Sequence, residues 1–197
     1  MKYTKPLGAG AVAALFVLIV ATVLLGATPQ KQVMSMSMSE MDTSSQLASL
    51  EGIAFEVGFM SMMITHHKSA TEMAQWILER SEDSKITRAA QQIIDEQEIE
   101  ITQMTTWLRE WYGREPDAEM MGMMQDMMGG MMQTMMDAKD SERAFLEGMS
   151  EHHDGAIDMA QLALFRSTHE QLRGLAEKIV SDQAGEISRF QTWLAER

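Results

Sequence analysis

Cysteine is absent from this chain of 197 residues. Its absence excludes disulfides, zinc–thiolate sites and cysteine nucleophiles, so methionine is the only source of sulfur ligands. A basic surface is missing as well, because the net charge is −13. Nucleic-acid binding requires a positive footprint, and we therefore expect no nucleic-acid partner. Acidic residues are themselves absent before residue 40, which leaves the rest of the chain more acidic than the total suggests.

Residues 7–27 form an uncharged apolar run, LGAGAVAALFVLIVATVLLGA. About 20 apolar residues span a bilayer as a helix. Lys2 and Lys5 precede the run, which predicts an N terminus inside the cell and the rest of the chain outside. We expect residues 1–27 to be a single-pass anchor in the cell membrane, with a cleaved signal segment as the alternative. The C-terminal domain would then be extracytoplasmic, either periplasmic or extracellular.

A polar, Met- and Ser-rich linker is predicted over residues 28–46. Apolar residues then recur with a helical period in four segments. The first covers residues 47–79, the second follows it and ends at about residue 111, and the last two cover residues 141–166 and 167–196. Ser81–Ser84 should cap the second of these helices, and Ser167–Glu170 has the pattern of a capping box. We expect acidic residues such as Glu56 to lie on solvated surface, and we expect the same of His169.

The chain repeats itself with an offset of 86 residues. Residues 59–110 align with residues 145–196 without a gap, and 20 of the 52 pairs are identical. A helical hairpin with one apolar face cannot bury that face alone. We therefore predict an all-α fold, preceded by the transmembrane helix, in which two repeated hairpins form a four-helix bundle over residues 47–197. Repeat one would occupy residues 50–111, a Met-rich connection residues 112–138, and repeat two residues 139–197.

Each repeat carries two adjacent histidines on the apolar face of a helix. At about 100° per residue, His66 lies on the same arc as Met63 and Met73, with His67 at its edge. A plain core avoids imidazoles, whereas ring nitrogens beside thioethers suit a soft metal ion. The repeated histidine pair therefore favours a soft-metal site.

Four polar residues interrupt the apolar stripes of the facing helices: Gln97, Glu100, Gln183 and Glu186. A buried carboxylate is costly unless it is paired or hydrogen-bonded. In a metal-free core these side chains would bond neutral imidazoles. In a metal site they would instead accept the ring N–H of each histidine and fix its orientation, while the other nitrogen binds the metal.

Ten methionines are packed in pairs between the two repeats. In a helix the pairs would form one stripe, although Gly122, Gly129 and Gly130 weaken such a helix by about 1 kcal/mol each relative to Ala. We expect a loose or frayed helix. Thioethers bind Cu(I) and Ag(I), and the alternative is an adaptable apolar patch. The candidate ligands are Met120, Met121, Met123, Met124, Met127, Met128, Met131, Met132, Met135 and Met136.

The motif Met-x-x-His-His-x-x-Ala-x-x-Met-Ala occurs twice. Each copy is followed by Ala-x-x-Ile-(x)3-Gln-x-x-Glu-Ile-(x)5-Trp-Leu. Over residues 50–197 this pattern resembles the domain-of-unknown-function 305 (DUF305) family. The resemblance implies a ferritin-like helical bundle, exported or membrane-anchored, with copper or silver bound through Met and His in some members. Carried onto this chain, those roles fall on Met63, His66, His67, Met73, Met149, His152, His153 and Met159.

Binding of a metal ion is therefore the leading hypothesis for function. We expect a membrane-tethered protein that sequesters or hands on Cu(I), with Ag(I) as a second metal, and the sequence names no protein partner. One alternative is a ferritin-like redox enzyme with a His/Glu metal centre, although the Glu-x-x-His motif of di-iron bundles is absent. The other is a metal-free interaction module. We expect binding rather than catalysis.

Overall fold

The computed structural model describes residues 45–197, so the predicted membrane segment and nearly all of the linker lie outside it. A short helical stretch at 45–49 leads into five long helices. These are α1 (Gly52–Leu78), α2 (Ser84–Tyr112), α3 (Ala118–Met136), α4 (Ser141–Arg166) and α5 (Glu170–Ala195). The all-helical fold predicted from the sequence is confirmed for these residues. Within them, no helix combines the length and the hydropathy needed to cross a membrane.

The helices of each repeat lie side by side. The helix α1 packs along α2, and α4 packs along α5, so each repeat forms a hairpin. The two hairpins meet where α1 contacts α4. Burial of the apolar faces at this contact is what a hairpin with one apolar face requires. His66 of α1 and His152 of α4 face each other at this contact, near the middle of both helices.

The cap predicted for the second helix of the first hairpin is confirmed, and the cap predicted for the second helix of the other hairpin is not. Asp83 caps α2 by accepting a hydrogen bond from the backbone N–H of Lys85, and Gly113 ends α2 with a left-handed φ of 60°. The predicted capping box of α5 is wrong, because its N-cap is His169, whose side chain makes no capping bond. The buried carboxylate of Glu56 on α1 accepts from the backbone N–H groups of Thr168 and His169 instead.

The Met-rich connection is a continuous helix of 19 residues, not the loose helix that its glycines predict. Asp117 caps it by accepting from the backbone N–H groups of Glu119 and Met120. Its three glycines all lie on the exposed side, while the buried methionines pack against α1 and α4. Tertiary packing of one face therefore outweighs the weak intrinsic helix propensity. As a fifth helix, α3 covers the junction between the two hairpins.

Candidate metal centre

The four histidines of the repeated motif meet where α1 and α4 pack together. All four are buried, with at most 1% of the residue exposed. The rings of His66 and His152 lie 3.8 Å apart between centroids, and each lies 6.3 Å from the ring of the adjacent histidine in its own helix. We call His66, His67, His152 and His153 the histidine layer. The fold thus joins the histidine pairs of both repeats in one place.

A glutamate holds one histidine in each repeat. Nε2 of His67 lies 2.7 Å from Oε2 of Glu100, and Nε2 of His153 lies 2.6 Å from Oε2 of Glu186. Because an ionised carboxylate can only accept, Nε2–H donates in both cases. In a neutral ring, Nδ1 then carries the lone pair. The geometry matches the predicted role of these glutamates, which both the metal-free and the metal-bound alternatives share.

The other carboxylate oxygen of each glutamate pairs with a basic side chain that the alignment of the two repeats did not indicate. Oε1 of Glu100 accepts from Nζ of Lys178 at 2.9 Å, and Oε1 of Glu186 accepts from the Arg189 guanidinium at 3.1 Å. Burial alone would raise the pKa of Glu100, but the hydrogen bonds and charges of His67 and Lys178 outweigh it and lower that pKa below its ordinary value. Neither cation is repeated in the other hairpin, so the repeat gave no signal for them. Only the three-residue spacing from Glu186 to Arg189 hinted at a pair.

The two glutamines sit differently from what the sequence suggested. Gln97 and Gln183 are buried, with 4% of each residue exposed. Their Oε1 atoms have no hydrogen-bond partner among the described residues. They line the same stripes as the glutamates, but their Oε1 atoms fix no imidazole.

Five ring nitrogens of the histidine layer have no hydrogen-bond partner among residues 45–197. They are Nδ1 of all four histidines and Nε2 of His152. Burial, together with the neighbouring histidines, lowers the pKa of His66 and of His152 well below the ordinary value, so both rings are neutral at pH 7. A buried polar atom without a partner costs about 1–3 kcal/mol. Such lone pairs fit a bound cation better than they fit a plain core.

Pairs of thioethers lie on both sides of the histidine layer. Met63 and Met73 precede and follow the histidines along α1, as Met149 and Met159 do along α4, and at most 2% of each residue is exposed. Met63 shares one buried cluster with Met159, while Met73 shares another with Met149. The two helices therefore run antiparallel through the layer. The eight residues that the family resemblance identifies are thus all buried along α1 and α4, with the histidines between the two pairs of methionines.

A cavity of about 590 Å³ lies between α3 and α4 and reaches His66 and His152. We call it the methionine cavity, since it is lined by Met159 and by five of the ten methionines of α3, namely Met124, Met127, Met128, Met131 and Met135. The other five, Met120, Met121, Met123, Met132 and Met136, do not line it. The structure therefore divides the methionines of α3 into two sets of equal size.

In the described part of the chain, nitrogen and oxygen side chains alone do not complete a metal site. Among residues 45–197, no group of three or more His, Asp or Glu side chains is arranged to hold a metal ion. A metal ion at the histidine layer would therefore need thioether sulfur in addition to imidazole nitrogen. Those are the ligand types that copper and silver accept.

A second buried polar cluster lies elsewhere, and the expectation of solvated surface for Glu56 is wrong. Only 1% of Glu56 is exposed. Its carboxylate accepts from the Tyr112 hydroxyl, from the backbone N–H of Thr168 at 2.5 Å, and from Nδ1 of His169 at 2.7 Å. The His169 ring stacks on Trp111 with centroids 4.0 Å apart. This cluster joins the start of α1 to the end of α2 and to the connection between α4 and α5.

Comparison with known proteins identifies the family. The sequence profile of DUF305, a domain of unknown function, matches residues 21–108 and 56–194. No curated protein matches the chain. Among solved structures, CopM in its Cu(II)-bound form is 28% identical with a TM-score of 0.64, over 72% of this chain and 96% of CopM. CopM also has Cu(I)-bound, Ag-bound and apo structures that match.

Two further solved structures carry the family name. A DUF305 protein from Streptomyces coelicolor is 28% identical with a TM-score of 0.64, over 72% of this chain and 92% of its own. A DUF305 fragment from Deinococcus radiodurans is 28% identical with a TM-score of 0.65, over 75% of this chain and all of the fragment.

Proposed function

The chain belongs to the DUF305 family, and from this premise we propose that it binds Cu(I) or Ag(I) through buried histidine and methionine side chains. The proposal is supported by CopM, which shares 28% identity with this chain and has been solved with copper and with silver. The metal is the cargo of the protein, which sequesters it or hands it on. Binding, rather than turnover, is the proposed activity.

One observation carries the proposal. Five ring nitrogens of the histidine layer are buried without a hydrogen-bond partner among residues 45–197, and the layer lies between two pairs of thioethers. Neutral imidazoles and thioethers together form a soft ligand set without charge, which suits a monovalent soft ion. Glu100 and Glu186 orient His67 and His153 through Nε2 and leave Nδ1 available. Met63, Met73, Met149 and Met159 supply sulfur on either side.

We place this activity outside the cytoplasm. The apolar run of residues 7–27 is long enough to anchor the chain, and Lys2 and Lys5 favour the orientation that leaves the bundle outside. The linker that follows would let the bundle stay tethered near the membrane. Labelling of a single engineered cysteine on the bundle by a membrane-impermeant reagent in intact cells tests the orientation, since the native chain has no cysteine.

An anaerobic titration tests metal binding. The full chain in detergent micelles is titrated with Cu(I) against a chromophoric chelator, beside a variant with His66, His67, His152 and His153 changed to Ala. His169→Ala is the control, because this histidine lies outside the histidine layer, and circular dichroism checks the helicity of every variant. We expect tight uptake that the fourfold variant loses and the control keeps.

Other outcomes of the titration would reject parts of the proposal. Uptake that is unchanged in the fourfold variant would move the metal away from the histidine layer. An absence of uptake by the wild-type chain would reject metal binding altogether. Steady oxygen consumption with reduced metal would instead favour the alternative of a redox enzyme.

A further inference from the structure

The histidine layer is closed to solvent, yet one cavity connects it with the surface. His66 and His152 are each 1% exposed, and both line the methionine cavity. The same cavity is lined by Glu151 and Thr134, which are exposed. A metal ion that binds the histidine layer must be desolvated and must pass some part of the bundle. Along the methionine cavity the ion would meet thioether sulfurs before it reaches the imidazoles of His66 and His152.

We propose, as a deepening of the function proposed above, that the methionine cavity is a loading site. In it, five thioethers of α3 capture a monovalent soft cation and pass it to His66 and His152. The five lining methionines follow helical spacing along one face of α3 and extend over about 16 Å. Their spacing offers a succession of weak soft ligands rather than one tight site.

An unpartnered buried side chain faces this cavity. His152 lines it, and neither ring nitrogen of His152 has a hydrogen-bond partner among the described residues. An apolar cavity that only filled space would leave this polar ring at a cost of about 1–3 kcal/mol. A cation arriving through the cavity would meet the free lone pair of His152 directly.

The thioethers of α3 are continuous with those of the core. A Cβ placed on Gly148 of α4 would lie 3.5 Å from Cε of Met73 and 3.9 Å from Sδ of Met135. Met135 of α3 and Met73 of the core therefore approach the same point on α4. Gly155, near the centre of α4, likewise leaves Nε2 of His66 only 3.6 Å from the position of a Cβ. Small residues on α4 thus let both ligand types reach the cavity wall.

The charge of the cavity attracts cations, and its interior discriminates among them. Glu147, Glu151 and Asp158 line it, and no Lys or Arg does. Glu147 also pairs with Arg143 at 2.9 Å, which reduces its contribution. Carboxylates attract any cation, but hard cations prefer oxygen ligands and gain nothing from thioethers. Cu(I) and Ag(I) gain thioether ligands deeper in the cavity, so the cavity selects soft ions.

The division of α3 provides a matched test. In one variant the five lining methionines, Met124, Met127, Met128, Met131 and Met135, are changed to Leu. In the control variant the five that do not line the cavity, Met120, Met121, Met123, Met132 and Met136, are changed to Leu. Leu conserves the volume of Met well enough for both variants to fold. Both remove the same number of thioethers from the same helix.

The readout separates the rate of loading from the affinity of the histidine layer. Stopped-flow mixing of the full chain in detergent with Cu(I) held by a weak chromophoric chelator gives the rate, and equilibrium competition gives the affinity. We expect the lining variant to load about tenfold more slowly or worse, with the affinity of its tightest site unchanged. The control variant should load at the wild-type rate.

Three results would overturn the proposal, and they are distinguishable from one another. Wild-type loading in both variants would show that the cavity is not the path. Equal slowing in both would show that the thioethers act without regard to the cavity. An absence of Cu(I) binding by the wild-type chain at equilibrium would reject the proposed function itself and this inference with it.

Discussion

At the scale of single residues, the decisive feature is the hydrogen bond by which a carboxylate determines which nitrogen of a buried imidazole carries the lone pair. His67 gives its Nε2–H to Glu100, which leaves Nδ1 with the lone pair and without a partner among the described residues. His153 and Glu186 repeat the arrangement. The two halves differ in the cation that holds the second carboxylate oxygen. It is Lys178 from the other hairpin in one case and Arg189 from the same helix in the other.

Removing the charge of Glu100 should weaken metal binding. In Glu100→Gln, the amide oxygen still accepts from His67, but the negative charge that strengthens the ring as a ligand is lost. Such outer partners of metal ligands are typically worth about 10–100-fold in affinity. We expect a loss of that size in Cu(I) affinity, measured by competition with a chelator.

The matched control for this change is Glu98→Gln. Glu98 lies on the same helix, two residues away, and is exposed. It loses the same charge without touching a histidine. If both variants lost affinity equally, the effect would belong to the net charge of the protein and not to the orientation of His67.

At the scale of elements, α3 is held by packing more than by its own helix propensity. A Cβ on Gly129 or Gly130 would meet nothing within 4 Å, so neither glycine is required for close approach. Each should be replaceable by Ala with a gain of about 1 kcal/mol in the helical state. We expect Gly129→Ala and Gly130→Ala to raise hydrogen-exchange protection of the α3 amides.

The contrasting substitution lies on α1. A Cβ on Gly58 would lie 2.7 Å from Cδ1 of Leu50, so Leu50 must move before Ala fits there. Gly58→Ala should therefore gain less than the two α3 variants, or lose stability. Lower protection of α3 in Gly129→Ala or Gly130→Ala would show that these glycines have a role that the packing does not reveal.

Comparison of particular elements shows what sequence reasoning could reach. The 86-residue repeat predicted both hairpins, and the identical pairs within it singled out histidines and methionines that the fold buries along α1 and α4, because repeated residues occupy related positions. The continuity of α3 was missed, since the cost of its glycines is local while its packing against α1 and α4 is not. The partners of Glu56 were missed for the same reason: Tyr112 and His169 lie 56 and 113 residues away in the chain.

At the scale of the whole molecule, polar contacts tie helix ends together where the hairpins meet. Glu56 links α1 to the end of α2 and to the start of α5. Arg166, at the end of α4, donates to the carbonyl oxygens of Ala48 and Leu50. The bundle is thus fixed at its centre by the layer of apolar and histidine side chains, and at the end where α1 begins by these hydrogen bonds.

The Glu56 cluster makes stability depend on pH in a predictable direction. Burial alone would raise the pKa of Glu56, but hydrogen bonds from Tyr112, Thr168 and His169 together outweigh burial and lower that pKa below its ordinary value of 4.5. A carboxylate with a lowered folded-state pKa contributes stability above its unfolded-state pKa, and this contribution is lost as the pH falls through the folded-state value. The loss therefore belongs to the range below about pH 4.5.

The variant Glu56→Gln tests this dependence. Leaving buried donors without their charged acceptor should cost about 1–3 kcal/mol at neutral pH. Because the wild-type carboxylate becomes protonated in acid and the amide does not titrate, the difference in unfolding free energy between the two proteins should be largest above pH 5 and shrink below pH 4.5. Denaturation followed by circular dichroism from pH 7 to pH 3 measures it, with the exposed Glu110→Gln as control. A difference that stayed constant across this range would mean that Glu56 stabilises the bundle through its shape and not through its charge.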